Sequence, residues 1–175
     1  LVAPAYCRSP EKPFLAIAAD LCCSAVVGTT SRPPKWIKPQ VTRLVDEAPA
    51  GAGWLHEIKY DGYRMHARID GGKASLLTRT GLDWSHRYRR TVEALQLLPV
   101  KSAYIDGELC ALNADGVPVF SRLQAAMDEG KTDQLVFYAF DLLFLNGEST
   151  AQLPLVERKA KLKRLFRRKV AGLRR

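Results

Sequence analysis

Residues 57–64 read Glu57-Ile58-Lys59-Tyr60-Asp61-Gly62-Tyr63-Arg64, which sets a lysine among two carboxylates, a glycine and an arginine at fixed offsets. A free lysine, with a pKa of about 10.4, is a poor nucleophile at neutral pH. Cationic neighbours and partial removal from water lower that value, and the neutral amine can then attack a phosphorus atom. An arbitrary Lys-x-Asp is ordinarily a solvated strand lysine with an exposed ion pair, here to Glu57 or Asp61. The full octet is more specific. With five fixed positions, a chance match in so short a chain is on the order of 10⁻⁴.

Three further segments follow in the chain. Thr78-Arg79-Thr80-Gly81 sets an arginine after a hairpin, and Tyr104-Ile105-Asp106-Gly107-Glu108 holds an Asp-Gly-Glu. Phe137-Tyr138-Ala139-Phe140-Asp141-Leu142-Leu143 is an aromatic run with one aspartate. Alone, an Asp-Gly-Glu is most often a surface turn and an aromatic strand is most often core. Asp106 is therefore read as a turn carboxylate and Asp141 as a structural hydrogen-bond acceptor. Phe140 divides evenly between inward packing and stacking on a ring.

The octet resembles E-x-K-x-D-G-x-R, the signature of lysine nucleotidyltransferases: ATP-dependent DNA ligases, RNA ligases and mRNA-capping enzymes. The three companions stand in the order and at the separations of the ligases. The text at Trp54-Leu55-His56, Gly81-Leu82-Asp83-Trp84 and Leu153-Pro154-Leu155-Val156-Glu157-Arg158-Lys159 is similar to the ligase module of bacterial ligase D, the enzyme of prokaryotic non-homologous end joining. The resemblance covers about residues 35–166. It implies that Lys59 attacks the α-phosphate of ATP to form a lysyl-adenylate. AMP then passes to a DNA 5′-phosphate, and the 3′-hydroxyl seals the nick. It also implies Glu57 at the adenine amino group, Arg64 and Glu108 around the ribose or metal, Arg79 near phosphates and Phe140 stacked on adenine. Asp61 and Gly62 support the nucleophile.

By the same resemblance the cofactors are ATP and Mg²⁺ or Mn²⁺, the metal at Glu108. The partners are nicked or broken duplex DNA and end-joining proteins such as Ku, in the bacterial cytoplasm at the nucleoid, with no membrane. Thr80 stands where asparagine is usual. The family's E-G-x-V-x-K strand, its K-x-K segment and the following oligonucleotide-binding-fold domain have no counterpart before Arg175. The chain is thus expected to be a C-terminally incomplete adenylation domain, impaired in self-adenylation and unable to seal nicks alone. Two other readings stay open: a capping-enzyme or RNA-ligase nucleotidyltransferase, and a non-catalytic nucleotide- or nucleic-acid-binding remnant.

These residues need elements to hold them. A chain of 175 residues that is 47% hydrophobic is enough for one packed domain. Its net charge of +9 is local: residues 157–175 hold ten Lys/Arg and one acid, while residues 1–156 hold 17 of each sign. That basic stretch suits phosphate contact or the solvated face of a helix, since Leu162, Leu165, Phe166, Val170 and Leu173 fall near helical spacing. Cys7, Cys22, Cys23 and Cys110 offer neither zinc spacing nor a disulfide framework. The apolar run Phe14–Val27 contains Asp20 and is too short to span a bilayer.

Residues 1–34 are expected to form a separate, unassigned and disordered N-terminal segment that ends at Pro33-Pro34, its Phe14–Val27 run buried or poorly ordered; residues 35–175 form the domain, ending in a basic helix or tail over 157–175. Strands are expected over Trp54–Tyr60, Arg64–Ile69, Ala74–Thr78, Ser102–Leu112 and Gln134–Leu145, with a turn at Asp70-Gly71-Gly72. Helices are expected from a Ser85 cap to about Leu98, over Ser121–Met127, and from Leu155 to about Leu173. The fold class is α+β with a mainly antiparallel sheet, the lysine-nucleotidyltransferase (ATP-grasp-like) adenylation domain.

Overall fold

The computed structural model describes residues 5–8, 32–41 and 54–175. The readings made for the Phe14–Val27 run, for Cys22 and Cys23 and for most of residues 1–34 lie outside them. Strand β1 (Ala5–Arg8) pairs antiparallel with β2 (Trp54–Glu57). This pair is separate from the six-stranded sheet that carries the rest of the fold.

That sheet starts from strict alternation. In β3 (Tyr63–Asp70), Met65, Ala67 and Ile69 enter the core, which leaves Arg64, His66, Arg68 and Asp70 on the other face. The turn at Gly71-Gly72 returns the chain into β4 (Lys73–Thr78), antiparallel to β3. Ser85 does not cap a helix. Its hydroxyl oxygen accepts the Leu76 N–H (2.9 Å) and it opens a single 3₁₀ turn, Ser85–Arg87. Helix α1 (Arg89–Gln96) follows and buries Thr91, Ala94 and Leu95. Each leucine so removed from water contributes about 1.5–3 kcal/mol.

Strand β5 (Ser102–Cys110) is central, antiparallel to β3 on one side and to β6 (Val136–Leu145) on the other. Between them lies helix α2 (Phe120–Asp128), which buries Leu123. The β5–β6 register shifts twice, between Tyr104 and Ile105 and between Asp106 and Gly107. The second shift leaves Phe140 as an extra residue on β6. Both Phe140 and Asp141 therefore stay out of the core, while Ala139 and Leu142 enter it. Asp-Gly-Glu here is mid-strand, not a turn. Its glycine is required by close approach: a Cβ on Gly107 would lie 2.4 Å from the Phe137 ring and 2.6 Å from the Tyr138 carbonyl.

After the Asn146-Gly147 turn, β7 (Glu148–Ser149) closes a short hairpin with β6. Helix α3 (Leu155–Leu165) packs on the sheet through Leu155, Leu162 and Leu165. It ends there, short of the Leu173 expected from spacing. Leu173 instead turns back into β8 (Leu173–Arg174), parallel to β6, where it is buried against the core. No helix among the described residues is long and apolar enough to cross a membrane.

Candidate active site

The face of the sheet opposite the core is partly covered by residues 32–41, held by donors aimed at their main chain. Arg68 donates to the carbonyls of Pro34 (3.0 Å) and Pro33 (3.1 Å), and Arg64 to that of Gln40 (2.7 Å). Tyr104 Oη accepts the Ile37 N–H at 3.1 Å and shares a hydrogen bond with His66 Nδ1, 2.6 Å away. His66 is fully buried, which lowers its pKa and keeps it neutral. Its Nε2 faces Asp106 at 3.4 Å without a well-formed hydrogen bond.

Asp106 is the hub of this polar layer. It is 3% exposed and accepts two bonds from Arg64, 3.0 Å from Nε and 2.6 Å from Nη2. This corrects its reading as a turn carboxylate. The paired Arg64 lies 5.3 Å from the centre of the Phe140 ring, so the bulge has brought Phe140 to the site face. Asp141 is the structural acceptor expected. It binds Arg158 of α3 through two bonds of 2.8 and 2.9 Å.

Beside Asp106, Glu108 stands opposite Arg64 in the ladder and meets the octet directly. The Gly62 N–H bonds its carboxylate, and the charges of Arg64 and Lys59 act on it. Burial outweighs these and pushes its pKa up to about 7. A proton that the folded chain holds and the unfolded chain releases stabilises the fold at low pH. That contribution is lost as pH rises from about 4.5 through about 7. His66, buried neutral, acts in the opposite sense below about 6.5. Comparing wild type with Glu108→Gln isolates the first effect. In metal-free buffer the substitution is expected to remove a fall in unfolding free energy of a few kcal/mol at most across this window, measured by denaturant titration at stepped pH.

Lys59 leaves the end of β2 on an exposed stretch, and Asp61 beside it is also exposed. The next residue, Tyr60, stacks on Tyr138 of β6 with ring centres 4.2 Å apart. Gly62 then passes so close to β5 that a Cβ would lie 2.2 Å from the Leu109 carbonyl oxygen. Gly62→Ala is accordingly expected to destabilise the fold by about 1–3 kcal/mol, read as a lower urea midpoint.

Glu57 pairs with Lys159 of α3, whose ammonium also donates to the Phe140 carbonyl. Burial lowers the Lys159 pKa to about 8, so it remains mostly protonated at neutral pH. Arg79 is exposed on the turn after β4, and no ion pair among the described residues joins it to this cluster. That turn is braced by Trp36, whose ring lies against Gly81. Cys110, buried and free, has its thiol pushed up to about 12 by burial and is inert.

The structure thus gathers Lys59, Gly62, Arg64, Glu108 and Phe140 on one face, with Glu57 at its rim; Arg79 stands outside their contacts. His66, Tyr104 and Lys159 were not singled out by sequence. The first two are ordinary strand residues by pattern, and Lys159 is one of ten basic residues in its stretch.

Comparisons with known proteins follow the same residues. The family model described as ATP dependent DNA ligase domain matches residues 37–173. The multifunctional non-homologous end joining protein LigD of Pseudomonas aeruginosa is 40% identical over 133 residues, 76% of this chain and 16% of that protein. The crystal structure of the ligase domain from M. tuberculosis LigD aligns with a TM-score of 0.58 at 30% identity, covering 67% of this chain and 38% of the other. A mycobacterial DNA ligase D complexed with ATP and MES gives 0.56 at 29% identity over the same shares. The chain spans only a minor part of these relatives' lengths. With a match to the family model from Ile37 to Leu173, it belongs to the ATP-dependent DNA ligase domain family.

Proposed function

We propose that this chain carries the lysine-adenylation chemistry of an ATP-dependent DNA ligase of the LigD type, acting in bacterial end joining. The observation that carries this reading is that exposed Lys59 lies within electrostatic reach of Glu108, whose ladder partner Arg64 is paired with Asp106 on the face that also presents Phe140. In the first step the neutral Lys59 amine attacks the α-phosphorus of ATP. An N–P bond forms, the bond from the α-phosphorus to the bridging oxygen breaks, pyrophosphate leaves and the amine gives up its proton. Such transfers need in-line positioning and neutralised charge more than elaborate acid–base chemistry.

Arg64, fixed by two bonds to Asp106, is oriented before any ligand arrives, and the Phe140 ring beside it offers a flat surface for a base. Glu57 shares its carboxylate with Lys159, which leaves lone pairs for an exocyclic amino group. Arg79, exposed, is available to phosphates through its planar fork. Among the described residues no three His, Cys, Asp or Glu side chains converge as a metal cage. A divalent cation at Glu108 would therefore take most of its oxygens from the triphosphate and water, as Mg²⁺ commonly does. When bound it would neutralise phosphate charge and favour the carboxylate form of Glu108. AMP transfer to a 5′-phosphate of nicked duplex DNA, sealing by the 3′-hydroxyl, partnership with end-joining proteins and a cytoplasmic setting complete the reading.

Incubating the chain with α-labelled ATP and Mg²⁺ or Mn²⁺ tests it. Acid-labile label from ATP is the expected result. Label from GTP instead would favour capping chemistry, and label that survives Lys59→Ala overturns the assignment of the nucleophile.

A further inference from the structure

We propose that Lys159 is a positioning residue that pins the Lys59-bearing segment to the sheet by bridging Glu57 and the Phe140 carbonyl. The inference rests on the reading of Lys59 as nucleophile, and its geometry is independent of that reading. Among the described residues β2 pairs with β1 and has no ladder to the six-stranded sheet. Lys59 follows the last residue of β2 by two positions, so no backbone ladder there fixes its place.

Two side-chain contacts flank it. On the C-terminal side Tyr60 stacks on Tyr138. On the N-terminal side the Glu57 carboxylate meets Lys159, 102 residues later in the chain. Ile58 and Lys59, between these two attachments, are exposed, Ile58 by 68%. The attachment at Glu57 is only as firm as α3, and α3 is itself locked. The neighbouring Arg158 makes two bonds to Asp141 and one to the Leu153 carbonyl at 2.7 Å.

The bulge on β6 supplies the other end of the bridge. It keeps Phe140 and Asp141 together on the outer side, where Lys159 takes the carbonyl of the first and Arg158 the carboxylate of the second. Lys159 and Glu57 are 29% and 25% exposed at the side chain, so water screens the pair only partly. Holding an attacking atom within a near-attack geometry is worth a large share of the barrier in such transfers.

Backbone ¹⁵N relaxation on the full chain tests this, comparing wild type with Lys159→Met, Lys159→Arg, Glu57→Gln and the Glu57→Gln/Lys159→Met double variant. In Lys159→Met the order parameters at residues 57–60 are expected to fall from about 0.85 to below about 0.6, with β5 and β6 unchanged. Lys159→Arg should restore them, and the double variant should be no looser than either single one. Unchanged order at 57–60 in Lys159→Met, or an equal loss throughout β5 and β6, overturns the proposal. If Lys159→Met does not fold, Glu57→Gln decides alone, and unchanged order at residues 58–60 in that variant overturns it. ATP label that persists in Lys59→Ala while this pattern holds would sink the reading of Lys59 as nucleophile and leave the pin standing.

Discussion

Lys59→Ala is expected to abolish covalent labelling by α-labelled ATP, a loss of at least about 10³-fold, as when a nucleophile is removed. No neighbouring amine can replace it at the same place, since the nearby Lys159 ammonium is engaged by Glu57 and the Phe140 carbonyl. Lys59→Arg is the sharper variant. Its guanidinium preserves the positive charge beside Glu108 but stays protonated at any accessible pH, so it cannot attack. It should fold as well as wild type and take no label. Gel autoradiography after acid and base treatment reads both results. Label that persists in either variant would mean that another group is the acceptor.

Asp106→Ala is expected to have the largest effect on stability of the substitutions considered. Removing one partner of a buried pair leaves the other charge uncompensated, at a cost of about 3–5 kcal/mol. Arg64 retains 23% side-chain exposure and its bond to the Gln40 carbonyl, which places the effect at the lower end, about 3 kcal/mol. That corresponds to roughly a 10 °C drop in melting temperature for a domain of this size. Asp106→Asn keeps one acceptor oxygen and should cost less. Any ATP-dependent labelling should fall in both, because Arg64 loses the carboxylate that orients it. A melting temperature within 2 °C or so of wild type for Asp106→Ala would show that water replaces the carboxylate at little cost.

How much of this could be read from the residues alone varies with the kind of contact. The β3–β4 hairpin was legible because period-two alternation and the turn at Asp70-Gly71-Gly72 are local signals. Lys59, Gly62, Arg64, Glu108 and Phe140 were singled out through motifs resembling those of a known family, and their work as one site stays a proposal. Other features depend on partners distant in sequence. Asp106-Gly107 has the composition of a turn, yet Gly107 is there because the Phe137 ring and the Tyr138 carbonyl close in on it from β6. The Phe140 bulge leaves no trace in an unbroken β-prone run. Val170 and Leu173 keep helical spacing after the helix has ended, because the buried place of Leu173 is provided by pairing with Phe137. The Ser85 hydroxyl is taken by the Leu76 N–H, an alternative to capping that such short polar side chains readily adopt.

The strap formed by residues 32–41 is gripped by its main chain. Arg68 and Arg64 bind the carbonyls of Pro33, Pro34 and Gln40, and Tyr104 takes the Ile37 N–H. Prolines have no N–H of their own, so at Pro33-Pro34 the carbonyl oxygens face the guanidinium without a competing donor from those residues. Side-chain replacements at Gln40 or Ile37 would leave every one of these bonds chemically possible. Replacing Arg64, Arg68 or Tyr104 would remove them outright. The freedom to vary therefore lies with the exposed positions of the covering segment, and the constraint lies with the strands beneath it, so that a mutational scan should find Lys35, Lys38 and Gln40 more permissive than the face the segment conceals.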